Sequence, residues 1–443
     1  MSLESTGAQT EPQSGSNESS WTLRALLLAM LLSAALPPSA VAIIPPRVQR
    51  EAIVPAFSWD TLPVAFHSSA SGKPFSAPQI KELARYSMVT IEKFQDLAAV
   101  APASTLTRPY SDPGGLFECQ NGSDLGCCGC CAEDEIVAAA RAIKAVNPHV
   151  VTIAYMNAQI SYPWYRAARP LAANASWWLT DASHDGPASS TWKMYDLSVA
   201  EAAQSWVDAA TNLTATGVID GVFADGCLKK EGGPNMTPSR IKKVYDGKVA
   251  MLRRLQAVLP GPIVCGSSSS GGFMHGLNAV QAENWGIVHK GRTHYGSEEI
   301  PMLRAAVKAG VIFQAHGRWA CGQTGQQPPC CDATGPPCNC TTTRPRYDDA
   351  AVQNEIAAFL VAAGHLSYYV CGSWEDTFSS PLTTSTWLPL YDLPLGAPLT
   401  DGVLKNGVWR RSFASGTNAT FDTKTERGTV LWGTKEFLRP HRR

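Results

Sequence analysis

The sequence predicts a (β/α)8 barrel with a small C-terminal β extension. Three observations carry this: eight short apolar runs, helical patterns between them, and no glycine fingerprint of the kind a dinucleotide-binding doubly wound sheet carries. The runs are 63–66, 88–91, 150–155, 218–224, 262–264, 279–282, 311–315 and 366–370. Each is nearly continuous in apolar residues, as strands buried on both faces must be. The stretch 192–197 is the one segment that could be miscounted as a further strand.

The helices between the runs have start and stop signals. Ser76 followed by Pro78 opens one, and Asn147-Pro148 stops the apolar pattern 136–146 that follows Glu133-Asp134-Glu135. Ser198 and Glu201 have the spacing of a capping box. Thr237-Pro238 opens a helix running to Leu259, which Pro260 ends. The patterns 298–308 and 349–363 are followed by Gly310 and Gly364, typical stops. Beyond 383 the pattern changes to a Pro/Leu-rich linker, a hairpin around Asn406-Gly407, and further short strands near 420–421 and 429–432.

The N-terminal residues are polar, and then Arg24 precedes the apolar run 25–36. That run is too short for a bilayer, which needs about 20 residues. Pro37, Pro38 and Ala40-Val41-Ala42 follow, so 1–42 reads as a polar extension plus a secretory signal peptide cleaved after Ala42. Glu4, Glu11 and Glu18 ahead of the run keep an uncleaved signal anchor as the alternative. No second run of spanning length follows. The expected organisation is 1–42 leader, 43–383 barrel and 384–443 linker with β extension.

Thirteen cysteines point to an oxidising compartment. Ten form two clusters, at 119–131 and 321–340, inside loop insertions spanning about 110–132 and 319–347. Cys227, Cys265 and Cys371 stand alone. The C-C-G-C-C run lacks zinc-ribbon spacing and has no nearby histidine, so disulfides are expected, with connectivity open. Asn121, Asn174, Asn212, Asn235, Asn339 and Asn418 begin glycosylation sequons, so a secreted glycoprotein is expected. The formal net charge of zero removes the basic footprint expected of a nucleic-acid binder.

Both insertions follow a strand, on the face where barrels carry their sites. Two strand ends on that face carry carboxylates. Asp225 ends Gly221-Val222-Phe223-Ala224, and Glu283 ends Ala279-Val280-Gln281-Ala282. Paired carboxylates across a pocket are what glycoside hydrolysis needs, one as acid and one as nucleophile or base. The plainer reading of either alone is a helix cap or an ion pair. Asp220, ahead of the strand core, is assigned to the opposite face. Candidate sugar contacts at the strand ends are His67, Glu92, Lys93, Tyr155, Asn157, Trp164, Trp285, His316, Arg318, Tyr369 and Trp374. Glu92 and Lys93 could instead simply pair. The 266–271 loop has the wrong spacing for a G-x-S-x-G nucleophile elbow. His67, His316 and His365 are dispersed, so neither a metal nor a cofactor is expected.

The stretches Trp59-Asp60-Thr61-Leu62-Pro63, Phe66-His67-Ser68, Met88-Val89-Thr90-Ile91-Glu92-Lys93, Gly221-Val222-Phe223-Ala224-Asp225, Gln314-Ala315-His316 and Arg411-x-Phe413-x-x-Gly416 together resemble the hypothetical glycosyl hydrolase family 15 group. The resemblance spans roughly 56–433. It implies a barrel glycosidase related to α-galactosidase-like and polygalactosaminidase-like families, with Asp225 as nucleophile or base and Glu283 as acid/base. The cysteine-rich insertions are not carried over from it. The resulting expectation is a secreted hydrolase of an oligo- or polysaccharide. The alternative is a non-catalytic carbohydrate-binding barrel, because a fold does not prove an activity.

Overall fold

The structure is a computed structural model that describes residues 52–68, 74–93, 95–96, 131–162, 164–181, 193–232, 235–266, 276–285, 288–289, 292–293, 299–317, 350–371 and 387–433. The leader, Arg318, Trp374 and nearly all of both cysteine-rich insertions lie outside the described residues. Eight parallel strands close a barrel: β1 (Val64–Ser68), β2 (Met88–Ile91), β3 (Val151–Asn157), β4 (Gly221–Asp225), β5 (Ile263–Cys265), β6 (Ala279–Trp285), β9 (Ile312–Gly317) and β10 (Ser367–Cys371). A two-stranded hairpin, β7 (Val288–His289) and β8 (Arg292–Thr293), interrupts the series. All eight apolar runs are barrel strands. The 192–197 stretch forms only isolated bridges, from Met194 to Ile160 and Tyr195 to Trp178.

Seven helices are described: α1 (Ala77–Leu83), α2 (Ala132–Val146), α3 (Ala168–Ala173), α4 (Ala200–Thr214), α5 (Pro238–Val258), α6 (Ile300–Lys308) and α7 (Ala350–Leu360). The Gln79 side chain reaches back to the Ser76 amide at 2.7 Å, and Thr237 Oγ1 accepts from the Arg240 amide at 3.2 Å. α2 starts at Ala132, earlier than its apolar pattern, because Glu133, Asp134 and Glu135 fill a first turn that favours acidic groups. The capping box at Ser198 does not form. Its hydroxyl is taken by Asp196 Oδ1 at 2.6 Å and by Arg240 Nη1 at 2.8 Å, and α4 begins two residues later.

The pairing register fixes the barrel's geometry. Phe66 pairs with Val89, and Val89 with Thr152. Carried on through the remaining strands, this register returns to β1 at residue 58, eight residues earlier. Eight strands with a stagger of eight define the (β/α)8 barrel, whose interior is filled by layers of side chains from alternate strands.

The last part of the chain forms an antiparallel sheet of β11 (Val403–Lys405), β12 (Val408–Ser412), β13 (Asn418–Asp422) and β14 (Arg427–Leu431). Asn406 and Gly407 both have positive φ, 54° and 79°, as a two-residue hairpin turn of this twist requires. Phe413, Ala419, Phe421 and Val430 are buried in the same apolar core as the barrel's helices.

Candidate active site

The stagger of one residue per strand decides which side chains share a level. Along the pairing from β4 through β5, Asp225 meets position 281 of β6, and two steps of stagger raise this to Glu283. The same construction back through Asn157 of β3 lands on Glu92, the residue following β2. Alternation along each strand points all three inward, in step with Thr90, Phe223 and Gln281. Three carboxylates from alternate strands therefore ring the barrel at one level of its C-terminal end. The layer beneath holds His67, Tyr155, His316 and Gly266. The contacts agree with these levels. His67 stacks on His316 with ring centroids 5.2 Å apart, and the Phe223 ring lies 4.5 Å from His67 and 5.7 Å from Tyr155.

Asp225 is held from the β3 side. Its Oδ2 accepts the Tyr155 hydroxyl in a short hydrogen bond and Asn157 Nδ2 at 2.9 Å. The Asn157 amide has only one workable orientation. Its Oδ1 already accepts the Gln159 and Ile160 backbone amides, at 2.8 and 2.6 Å, which turns the NH2 toward Asp225. Trp206 anchors the same residue by donating to the Asn157 carbonyl at 2.9 Å. Burial, and then the Asp225 charge, push the Tyr155 phenol well above its ordinary pKa, so it remains a neutral donor. Both of these donors, Tyr155 and Asn157, sit on Oδ2, and among the described residues none donates to Oδ1.

Glu92 and Lys93 do pair. Lys93 Nζ lies 2.9 Å from Glu92 Oε2 and 4.4 Å above the Tyr155 ring. Burial pushes the Glu92 carboxyl up, but the Lys93 charge and the His67 hydrogen bond outweigh it and hold the group below its ordinary value. Burial pulls Lys93 down, yet Glu92, Tyr162 and Asp225 together raise it above the ordinary lysine range. His67 Nε2 donates to Glu92 Oε1 at 2.7 Å, because Nδ1 accepts from Gln281 Nε2 at 2.9 Å. Gln281 also donates to Gln314 Oε1 at 2.7 Å. A polar chain thus runs up the barrel's centre from Gln314 to Lys93. Trp164 supports its upper end, donating to the Lys93 carbonyl at 3.1 Å while stacked on Tyr162.

Two expected contacts are not brought to this ring. On β6 the pairing advances two residues, Glu283 to Trp285, while β9 advances one, His316 to Gly317. This bulge turns Trp285 outward, and its indole donates to the Glu355 carbonyl of α7 at 3.1 Å. Tyr369 pairs with Ala315 on the outer face of the wall and donates to Glu355 Oε2 at 2.6 Å. Asp220 lies at the opposite end of β4, paired with Lys144 at 2.8 Å. The polar core residues Gln281 and Gln314 escaped the sequence reading. Each sits two positions before a candidate, Glu283 and His316, and that spacing was the available signal.

Cys227 and Cys265 are disulfide-bonded and join the segment after β4 to the end of β5. Cys131 and Cys371 each take part in a further disulfide. Away from this face, a groove of about 630 Å³ lies between α2 and α4 on the outer wall, lined by Glu133, Arg166, Trp177 and Asp208 among others. None of the ring residues lines it. Among the described residues no group of three or more His, Cys, Asp or Glu is arranged to hold a metal, and no helix is long and apolar enough to cross a membrane.

The family model described as hypothetical glycosyl hydrolase family 15 matches residues 144–417. No curated protein matches the sequence. Among solved structures, the glycoside hydrolase domain of PelA from Pseudomonas aeruginosa is 14% identical with a TM-score of 0.40, the match covering 71% of this chain and 98% of that one. A GH36 α-galactosidase, AgaA from Geobacillus stearothermophilus, is 12% identical with a TM-score of 0.41, covering 83% and 48%. The maltogenic α-amylase AmyB from Thermotoga neapolitana is 10% identical with a TM-score of 0.43, covering 82% and 86%.

Proposed function

Because the chain belongs to hypothetical glycosyl hydrolase family 15, we propose that it hydrolyses O-glycosidic bonds of an oligo- or polysaccharide, with Asp225 as nucleophile or base and Glu283 as general acid. The observation that carries this reading is the shared level of the two carboxylates, with one strand between theirs, at the C-terminal mouth of a closed barrel. Strands two apart stand about 9–10 Å from each other, and side chains converging inward shorten that gap to the span of one glycosidic linkage. Tyr155 and Asn157 orient Asp225 through hydrogen bonds to its Oδ2. In a retaining reaction its free oxygen would attack the anomeric carbon. Glu283 would protonate the leaving oxygen and then remove a proton from the incoming water. In an inverting reaction Asp225 would instead activate that water. Glu92, Lys93, His67, His316 and Trp164, with Arg318 and Trp374, remain the proposed sugar contacts.

The disulfides support a protein exported through a leader at 1–42, with the barrel at 43–383 and the extension at 384–443. Glycosylation at the sequons belongs to the same proposal.

The test is hydrolysis of a panel of α- and β-linked polysaccharides and aryl glycosides by the secreted chain, with the first anomer formed identified by NMR. Asp225→Asn should lose on the order of 10³-fold or more in turnover on every substrate. Glu283→Gln should lose much less on aryl glycosides, whose leaving groups need little protonation, than on sugars. Full activity of Asp225→Asn would remove it from the mechanism. Glycan binding without turnover by the wild type would establish the non-catalytic reading.

A further inference from the structure

The segment that leaves β4 directly after Asp225 is held by groups that the proposed reaction does not use. Lys248, on α5, is fully buried at 0% exposure. Its ammonium donates to the Gly226 carbonyl at 3.0 Å, the Lys229 carbonyl at 2.9 Å and, in a short contact, Glu231 Oε1. A lysine ammonium has three N–H donors, so all are engaged. Gly226 turns the chain with φ +63°, and Cys227 is tied to Cys265 at the end of β5. The segment is therefore anchored within six residues by a left-handed turn, a covalent bond and a buried cation. A buried ion pair is weak evidence for stability, since apolar side chains of similar volume often do as well. What this pair adds is geometry and charge next to Asp225.

We propose that Lys248 is a positioning residue for Asp225, one that fixes the 226–231 segment and, with Glu231, sets the net charge behind the carboxylate. The proposal rests on the reading of Asp225 as nucleophile or base. The charged and titratable groups around the two residues come from every neighbouring element. Tyr155, Tyr162, Lys93 and Glu92 face Asp225 from the β2 and β3 side, and Glu231, Lys229 and Asp225 itself face Lys248. Lys248 and Glu231 act on Asp225 with opposite signs, which gives a test that a purely structural role does not share.

The experiment is the pH dependence of kcat/KM for the wild type, Lys248→Met and Glu231→Gln. Loss of the cation should move the acidic limb up by roughly 0.5–1 pH unit and lower kcat about tenfold, with KM changed less than about twofold. Loss of the anion should move the same limb down by a similar amount. Folded variants whose limbs stay in place, or move in the same direction, would overturn the proposal. Should Lys248→Met not fold, Glu231→Gln decides alone: a downward shift supports the proposal and an unmoved limb rejects it. If the wild type hydrolyses no glycan, the catalytic reading fails separately. Amide exchange across 226–231 then decides the clamp, about tenfold faster in Lys248→Met if it is right and unchanged if it is wrong.

Discussion

At the scale of single residues the site is a problem in charge placement. Three carboxylates at one level of a narrow barrel repel one another, and only one lysine among the described residues sits within the ring. Glu92 resolves part of this by taking Lys93 and His67 as partners. The consequence for stability follows from the directions of the shifts. Glu92 is lowered on folding, so its contribution is present above the ordinary carboxylate value of 4.5 and is lost as pH falls through the lower folded value. Lys93 is raised, so its contribution is present below 10.5 and is lost only as pH rises through the higher folded value. The pair is thus fully stabilising through the neutral range. Glu92→Gln leaves the Lys93 charge buried without its partner and should cost about 3–5 kcal/mol at pH 7. Urea denaturation at successive pH values should show the gap between wild type and variant narrowing as pH falls below 4.5. A gap that stays constant down to pH 3 would mean that Glu92 is not ionised in the fold.

At the scale of elements, strands and their ends were legible and side-chain direction was only partly so. The eight strands announce themselves because burial on both faces makes each run continuously apolar. Asp225 and Glu283 stand out as the first charges after such runs. What the runs hide is parity. Counting along β6 puts Trp285 on the face of Glu283, but the bulge at 284 reverses it, and a bulge is a pairing event with no local signal here. Tyr369 lies outward because Val370 is the residue in step with His316. Ser198 failed as a cap because its hydroxyl is taken by Asp196, two residues back, and by the tertiary partner Arg240. β5 carries a consequence of its own. A Cβ on Gly266 would lie 2.1 Å from Phe223 Cζ, so the Phe223 ring occupies the place of a side chain in the layer below the carboxylates. Gly266→Ala must displace that ring and should destabilise the protein by about 1–3 kcal/mol. Adding Phe223→Leu makes room and should recover more than half of the loss in thermal denaturation. A double variant no better than the sum of the single ones would show that the clash is relieved elsewhere.

At the scale of the whole molecule, the question is whether the C-terminal sheet is a separate body or part of the barrel. The Arg411-x-Phe413-x-x-Gly416 stretch answers through Arg411, which is buried and donates from β12 to the carbonyls of Leu360 at 3.1 Å, Thr400 at 3.0 Å and, in a short contact, Ala363. Leu360 ends α7, so the guanidinium satisfies carbonyls that a helix end leaves open, and its charge suits the negative end of the helix dipole. Burial lowers its pKa to about 10, which still leaves it charged at neutral pH. Phe413, with no exposed surface, packs beside Trp59 ahead of the first strand. The amide of Gly428 donates to Asn354 Oδ1 of α7 at 2.5 Å. The sheet therefore closes the last helix of the barrel and meets the segment that leads into β1, joining the two ends of the described chain. Arg411→Met should remove about 3 kcal/mol, from bonds a charged donor makes to buried carbonyls. If sheet and barrel are one cooperative unit, the loss appears as a single unfolding transition at lower denaturant, with tryptophan fluorescence and far-UV circular dichroism coincident. An early transition seen by Trp409 and Trp432, with the barrel's own midpoint unmoved, would instead make the sheet an independent body and Arg411 only its tether.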